Sequence, residues 1–226
     1  MTFAIGGICR QTGQLGCAVT TSSVCVGARC GRVGKDCVVF SQARTDPTLH
    51  GVGLAAHAQS GNPETALWAM RDAAVAVHWR QLGVLDRSGK AAHYTGASCL
   101  PTCGATVGKD CLAIGNYLTN AKVLPAMIAG FEETEGPLAA RLIAALEAGL
   151  AAGGELDPLQ SAALLVYGEH DFAYADLRVD KSATPIEHLN DLWKDWEPKA
   201  DSYVIRTLDP DAAVPSFLVE GHRQGE

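Results

Sequence analysis

The sequence predicts a mixed α+β fold, a four-layer αββα sandwich in which two antiparallel β-sheets face each other and helices cover their outer faces. Two observations predict it. Strand-like runs come in hairpin pairs along the chain, and helix-like segments come in pairs between those hairpins. Several strand-like runs are also apolar on both faces, which requires cover on both sides. Two packed sheets with a helix pair on each outer side meet both requirements.

The strand-like runs are short and are separated by turn signals. The first pair flanks a polar turn that contains Gly13. A second hairpin turns at residues 86–90, and a third turns at residues 108–110. The segment 24–35 is rich in Gly, Arg and Cys and indicates a loop or an irregular edge. We expect two strands within 1–23 and single strands at 36–42, 79–85, 91–95, 105–107, 111–115, 161–167 and 172–179.

Helices are expected between these strands. Asn62 has the character of an N-cap, because Pro63 suits the first helical position and Glu64 suits the first turn. Gly153 and Gly154 indicate where a later helix ends. The expected helices cover about 48–60, 63 onward, about 121–133, 137 to about 152, and a final amphipathic segment around 186–196.

The domain prediction is a single domain over residues 1–196, followed by an extended C-terminal tail over residues 197–226. The formal net charge is -7 with no basic run, which argues against nucleic-acid binding. A membrane-spanning helix needs an apolar stretch of about 18 residues, and no stretch of this length is present, so no membrane partner is expected. No signal-peptide pattern is present either, and we expect a cytoplasmic protein. The eight cysteines show no metal-binding spacing, so we expect no metal and no cofactor.

The first strand carries the main functional candidate. It reads as a buried central strand although it begins at Thr2, and chain termini are normally loose. Thr2 is small enough for an aminopeptidase to remove Met1, which would leave a threonine with both a hydroxyl and a free α-amine. An α-amine with a pKa of about 7.7–8.0 can take the hydroxyl proton, so one residue would supply nucleophile and base. The alternative is that Thr2 is simply a common second residue.

The predicted element order, with threonine at the start of the first strand, resembles the N-terminal nucleophile (Ntn) hydrolase superfamily, which includes proteasome subunits and glycosylasparaginase. Local motifs are more closely similar to one bacterial and archaeal family that is catalogued as a domain of unknown function and placed in the Ntn fold. The match covers about residues 2–195 and leaves the tail uncovered. The motifs are residues 2–3, 13–19, 79–84, 94–96, 115–116, 133–139, 160–166 and 176–180.

The resemblance implies roles for individual residues. Thr2 matches the position of the nucleophile. Ser22 follows the second strand, where proteasome-like members keep an Asp and a Ser, although the Asp is absent here. Lys35 lies near the position of the activating lysine in those proteins. The turn at residues 43–45 is where a backbone N–H would line an oxyanion hole.

Other polar residues at strand ends are candidates for the same cleft. Asn116 and Gln42 can donate to an oxyanion or orient an amide, and Asp46 lies close to them in sequence. The alternative for all three is an ordinary turn or cap residue. Trp79, with Gln81 two residues later, is a candidate pocket wall, and a core tryptophan is the alternative.

Charged and titratable residues elsewhere give weaker signals. Asp176 and Arg178 alternate on one strand face and are candidates to anchor a charged substrate, or they form a structural ion pair. His50 and His57 lie seven residues apart, which suits two metal ligands or a surface stripe, and the stripe is favoured. Cys25 and Cys30 lie near arginines that would lower a thiol pKa, which gives a weaker thiol-chemistry hypothesis.

Two functions from different classes follow. The first is an amidohydrolase that acts on a small-molecule C–N bond through Thr2. The second is a non-catalytic binding or assembly protein on the same scaffold, which the missing Asp favours. In either case we expect a homo-oligomer.

Overall fold

The computed structural model describes residues 1–222, which form a mixed α+β fold with two antiparallel sheets and six α-helices. The strands are β1 (Thr2–Ile8), β2 (Leu15–Thr21), β3 (Gly31–Val33), β4 (Cys37–Ala43), β5 (Arg80–Asp86), β6 (Ala91–Thr95), β7 (Gly104–Gly108), β8 (Cys111–Asn116), β9 (Ser161–Tyr167) and β10 (Ala173–Val179). The helices are α1 (Thr48–Ser60), α2 (Pro63–Ala73), α3 (Val123–Glu133), α4 (Leu138–Ala151), α5 (Pro185–Leu208) and α6 (Ser216–Val219).

Strand β1 lies inside the larger sheet, whose order is β10-β9-β2-β1-β8-β7. The smaller sheet has the order β3-β4-β5-β6. Every strand pair is antiparallel, and the first hairpin pairs Phe3 with Thr20 and Ile8 with Leu15 around the turn. The predicted pairing of strands into two antiparallel sheets is therefore confirmed.

Alternate residues of β1 face two different apolar clusters. Phe3 and Ile5 pack with residues of α3 and α4, such as Phe131. Ala4 packs on the opposite face with Phe40 of the smaller sheet. All seven residues of β1 are buried, so the expectation that this strand is covered on both faces is confirmed.

The remaining helices cover the smaller sheet and the edge of the larger one. Helices α1 and α2 pack on β4 and β5 through a third apolar cluster that includes Leu49, Met70 and Leu82. Helix α5 packs on β9 and β10 through Leu189 and Trp193. No helix within residues 1–222 is both long and apolar enough to cross a membrane.

Local sequence signals set the helix boundaries as predicted at two places. The Asn62 side chain accepts hydrogen bonds from the N–H groups of Glu64 at 2.8 Å and Thr65 at 3.4 Å, with Pro63 in the first turn. After α4, Gly154 adopts a left-handed φ of +61° and its N–H reaches the Gly149 carbonyl at 3.0 Å.

The structure differs from the predicted extended tail over 197–226. Helix α5 continues through Pro198 to Leu208, and α6 follows, while residues 223–226 lie outside the described residues. Side-chain contacts hold the extra turns: the Trp196 and Tyr203 rings stack at 5.1 Å, and Lys199 forms an ion pair with Glu220 at 2.9 Å. The segment 24–35 fits the second of its two predicted alternatives, an irregular edge, because the three-residue β3 pairs with β4 at the edge of the smaller sheet.

Candidate functional site

Thr2 begins β1 at one end of the larger sheet, beside the last residue of β8. The strand register pairs Thr2 with Asn116. The Thr2 side chain is buried, and its hydroxyl donates to the carbonyl of Met1. The Thr21 hydroxyl donates to the same carbonyl at 2.7 Å. Two hydroxyl groups therefore converge on the peptide unit that joins Met1 to Thr2.

Met1 lines two cavities at this end of the molecule. One has a volume of about 230 Å³ and is lined by Met1, Ala43, Arg44, Trp79, Ser98, Cys99, Leu100 and Asn116. The other has a volume of about 830 Å³ and is lined by Met1, Ser22, Asp157, Pro158, Leu159, Gln160, Lys181, Ser182 and Ala183. Among residues 1–222, Met1 is the one residue that lines both cavities. We call the first the small cavity and the second the large cavity.

A buried amide network lies behind the small cavity, with Gln81 at its centre. The Gln81 Nε2 group donates to the Gly115 carbonyl at 2.8 Å, the Gly104 carbonyl at 3.1 Å and the Thr95 hydroxyl at 3.0 Å. Backbone carbonyls only accept hydrogen bonds, so these contacts fix which end of the Gln81 amide is nitrogen. Its oxygen must point the other way, toward Gln42 and Asn116.

The orientation of Gln81 in turn fixes the two neighbouring amides. Gln42 Nε2 donates to the Gln81 oxygen at 2.8 Å, and Asn116 Nδ2 donates to it at 3.0 Å. Gln42 Oε1 and Asn116 Oδ1 are left buried without a partner among residues 1–222. These free oxygen atoms are acceptors, so they do not fit the predicted donation to an oxyanion but do fit the other predicted role, which is to orient an amide.

Glu155 is a site residue that sequence reasoning missed. It follows Gly154, is only 6% exposed, and accepts a hydrogen bond from the Ser22 N–H at 3.1 Å. Its other oxygen has no partner among the described residues. Burial raises the pKa of the Glu155 carboxyl and lowers the pKa of the Met1 α-amine, while the charge of each favours the charged form of the other. The one sequence signal that could have identified Glu155 as a functional candidate is its acidic character close to a helix C-terminus, where basic residues are usual.

The raised pKa of Glu155 predicts a pH dependence of stability in the chain that retains Met1. The folded-state pKa of Glu155 lies above the unfolded value of about 4.5, so between these two pKa values the folded protein binds more protons than the unfolded protein. Stability therefore falls as the pH rises from about 4.5 through the folded-state pKa. Glu155→Gln removes this titration. The free energy of unfolding of the variant minus that of the wild type should therefore increase with pH, measured by denaturant titration from pH 4 to 8.

Glu133→Gln, at an exposed carboxylate, is the matched control and should track the wild type at every pH. A constant difference between Glu155→Gln and the wild type across the whole range would contradict the assignment.

Two further predicted site residues lie at this end of the molecule, and a third has a structural role. Ser22 lines the large cavity, with its Oγ 3.6 Å from the Met1 sulfur. Trp79 lines the small cavity as predicted for a pocket wall. Asp46 instead lies just before α1, where its carboxylate accepts a hydrogen bond from the Thr48 N–H at 3.1 Å. The Asp46 carboxylate also lies 3.8 Å from the Arg80 guanidinium.

Lys35 does not lie near Thr2. It occupies the turn between β3 and β4, where its carbonyl accepts a hydrogen bond from Arg87. Arg87 also bonds the Gly13 carbonyl, which lies in the β1–β2 turn at the opposite end of β1 from Thr2. Lys35 precedes the first residue of β4, whereas Ala43, which lines the small cavity, is the last, and the length of the strand between them is about 20 Å at ~3.3 Å per residue. The predicted role of Lys35 as an activating residue therefore has no geometric basis.

Asp176 and Arg178 also lie apart from Thr2. They are on the edge strand β10, three strands from β1 and thus about 14 Å away in the sheet. Arg178 donates to both carboxylate oxygens of Asp176 at 3.0 Å and 2.9 Å. The pair fits the structural alternative and not the substrate anchor.

The surface-stripe interpretation of His50 and His57 is wrong. Both are buried on the side of α1 that faces the smaller sheet, and His57 Nε2 lies 3.9 Å from an Asp86 oxygen. Burial lowers the pKa of His50. Within residues 1–222 no group of three or more His, Cys, Asp or Glu residues is placed to hold a metal ion.

The cysteines give a labelling prediction. Burial raises the pKa values of Cys17, Cys37 and Cys111 to about 12, whereas Cys25 and Cys103 are exposed. A maleimide at neutral pH should therefore modify Cys25 and Cys103 first in the folded protein, and the three buried thiols only after unfolding. Peptide mapping after timed labelling checks this order. Rapid labelling of Cys17 without denaturant would contradict the packing of the sheets.

Cys30 is buried beside Thr2 and does not support thiol chemistry. Its sulfur lies 3.7 Å from the Thr45 hydroxyl, and it also contacts the Thr2 side chain. Burial raises the pKa of the Cys30 thiol despite the nearby Arg29. The contacts of Cys30 instead show that Thr45 lies close to Thr2.

Comparisons with known proteins agree on one family. The sequence profile of a family of unknown function, DUF1028, matches residues 2–189. The crystal structure of protein SPO2555 from Silicibacter pomeroyi, described with the same family, superposes with a TM-score of 0.79. That protein is 31% identical in sequence, and the match covers 85% of this chain and 88% of that one. None of the curated proteins matches this chain.

Proposed function

This chain belongs to the DUF1028 family of unknown function, and we propose that it is an amidohydrolase of the N-terminal nucleophile type. In this proposal Met1 is removed, Thr2 becomes the N-terminal residue, and its hydroxyl attacks the carbonyl carbon of a small amide. The order of layers supports the proposal, since helices lie outside two facing sheets as in the αββα sandwich of Ntn hydrolases.

The position of Met1 carries the proposal. Met1 lines both the small and the large cavity, and its carbonyl accepts hydrogen bonds from the hydroxyls of Thr2 and Thr21. Removal of this one residue would free the Thr2 α-amine, release both hydroxyls and join the two cavities into one cleft. The nucleophile would then lie at the base of that cleft, on a strand that is buried along its whole length.

The free α-amine would act as the general base. It takes the proton from Thr2 Oγ as the oxygen bonds to the substrate carbonyl, and it returns this proton to the leaving amine when the C–N bond breaks. Water then hydrolyses the resulting ester and restores the hydroxyl. An α-amine has a pKa of about 7.7–8.0, and burial at this place lowers the pKa of the present terminal amine, which favours the neutral basic form.

The oxyanion would be held by backbone and not by the buried amides. The Arg44 N–H is already bonded to the Trp79 carbonyl at 3.3 Å. The Thr45 N–H has no acceptor among the described residues, and the Thr45 side chain shares the Cys30 contact with Thr2. We assign the Thr45 N–H as the oxyanion donor. Glu155 would stabilise the ammonium form of Thr2 during each turnover.

Acylation of Thr2 by an activated ester tests the proposal. The untagged protein is incubated with p-nitrophenyl acetate, and the adduct is located by intact mass and peptide mapping. We expect one acetyl group on Thr2 Oγ that is absent from Thr2→Ala. A variant with glutamate inserted before Thr2 keeps the hydroxyl but blocks its amine, and it should acylate far more slowly. An adduct of equal yield in Thr2→Ala would overturn the proposal.

One observation favours the second candidate function, a binding protein without catalysis. In the chain that retains Met1, two hydroxyls donate to the Met1 carbonyl, and Met1 lines both cavities. Met1 would then be a structural plug. Retention of Met1 together with the absence of any Thr2 adduct would favour this function.

A further inference from the structure

We propose that Arg44 binds a carboxylate of the substrate, so that the enzyme acts on N-acyl amino acids, with the amino-acid part in the small cavity. This inference rests on the proposed hydrolase function, because it names the substrate of the same site. It is carried by two residues that line the small cavity, Arg44 and Asn116, whose guanidinium and buried amide oxygen have no partner of opposite character among residues 1–222.

The Arg44 guanidinium stacks on an aromatic ring and has no anionic partner among residues 1–222. It stacks over the Trp79 ring, with its central carbon 3.7 Å from the ring centroid. Stacking uses the face of the guanidinium and leaves its N–H edge free, which is the edge that binds a carboxylate in a bidentate manner. Among residues 1–222 no carboxylate pairs with Arg44, and the nearby Asp46 pairs with Arg80 instead.

The backbone around Arg44 is also fixed. The Arg44 N–H donates to the Trp79 carbonyl at 3.3 Å, and the Arg44 carbonyl accepts a hydrogen bond from Arg80. Ala43, the preceding residue, has a left-handed φ of +67°, which turns the chain at the end of β4. A side chain held from both its backbone and its ring partner loses little freedom on binding an anion.

Asn116 determines how the substrate lies relative to Arg44. Its Oδ1 is buried and lacks a donor, because the Gln81 network uses its Nδ2. An unpartnered buried acceptor favours an N–H group of the ligand. The N–H of a scissile amide meets this requirement, and in an N-acyl amino acid a carboxylate lies two bonds beyond that nitrogen. A carboxylate at Arg44 and an N–H at Asn116 are thus the two ends of one small group.

The sizes of the two cavities agree with this orientation. The small cavity, at about 230 Å³, lies below the about 300–1,000 Å³ of sites for drug-sized ligands and suits a single amino acid. The acyl group would lie in the large cavity, which includes Pro158 and Leu159. Attack by Thr2 would then form an acyl ester, and the C–N bond would break to release the amino acid with the proton from the Thr2 ammonium.

Paired substrates test the inference. N-acylglycines with acyl chains of increasing length are compared with the corresponding N-acylglycinamides, which differ only in the carboxylate, and release of glycine or glycinamide is measured. We expect a preference for the acids of about 10- to 100-fold in kcat/KM, the range of a hydrogen bond to a charged group. Arg44→Gln should abolish that preference through a higher KM for the acids, and Arg44→Lys should restore part of it.

Arg71→Gln is the matched control. Arg71 also stacks on an aromatic ring, Trp68, but lies on α2 and does not line either cavity. The Arg71→Gln variant should prefer the acids over the amides to the same extent as the wild type. Equal hydrolysis of acids and amides by the wild type would overturn the carboxylate site and leave the hydrolase intact.

A binding measurement separates failure of the site from failure of the function. Thr2→Ala is titrated with N-acetylglycine and N-acetylglycinamide by calorimetry. Selective binding of the acid by Thr2→Ala, lost in the double variant Thr2→Ala/Arg44→Gln, would support the carboxylate site. If the wild type hydrolysed neither compound while this selective binding was seen, only the hydrolase function would be overturned. Absence of any acid-selective binding and hydrolysis would overturn the inference.

Discussion

Thr2→Ala is expected to lower the rate of amide hydrolysis by at least about 10³-fold, the scale of losing a covalent nucleophile. The hydroxyl that is removed donates to the carbonyl of Met1, a residue that the active form lacks in our proposal, and otherwise contacts the Cys30 thiol. Its loss should therefore leave the folded structure intact. Steady-state kinetics on N-acylglycines, together with thermal unfolding of the same preparations, measures both effects.

Two variants serve as controls for this result. Thr2→Ser keeps a hydroxyl and an α-amine and should retain measurable activity. Thr20→Val removes a nearby buried hydroxyl, which donates to the Ser161 carbonyl at 2.8 Å. This variant should lose about 1 kcal/mol of stability but should keep the rate of amide hydrolysis. Hydrolysis by Thr2→Ala at the rate of Thr20→Val would exclude Thr2 as the nucleophile.

Gln81→Leu is expected to lower the free energy of unfolding by about 3–5 kcal/mol, a large effect for one substitution. Gln81 is fully buried and satisfies the carbonyls of Gly104 and Gly115 as well as the amides of Gln42 and Asn116. Each buried polar group that loses its partner costs about 1–3 kcal/mol. Activity should fall as well, because Asn116 would no longer be held in one orientation.

Denaturant unfolding of Gln81→Leu measures the loss of stability, and Gln11→Leu is the control. Gln11 is exposed in the β1–β2 turn, so its substitution should change stability by no more than about 0.5 kcal/mol. If Gln81→Leu is as stable as Gln11→Leu, the amide network does not have the bonding described above.

The parts of the fold that were predicted correctly depend on local signals. Gly13 marks the first turn, and Asn62 with Pro63 marks the start of α2, because each acts on its own few residues. The last turns of α5 escaped prediction for the opposite reason. They are stabilised by Glu220, which lies beyond the end of the helix, and Pro198 inside α5 concealed the helix.

The candidate site was predicted in part. The position of Thr2 follows from a buried strand that starts at the second residue, and Asn116 and Trp79 were expected near it. Lys35 was misplaced because the end of a sheet at which a residue lies depends on strand pairing, which the sequence does not specify. Glu155 was missed because it reaches Ser22 only after α4 has packed on the sheet.

Intact mass spectrometry and N-terminal sequencing of the untagged protein, purified from cells without exposure to added proteases, test the central claim most directly. The claim is that Thr2 is the N-terminal residue of the active protein. We predict a mass that lacks Met1 and a sequence that begins Thr2-Phe3. A mass that includes Met1 in protein that is folded and untagged would leave Thr2 without a free α-amine, and it would contradict the proposed mechanism.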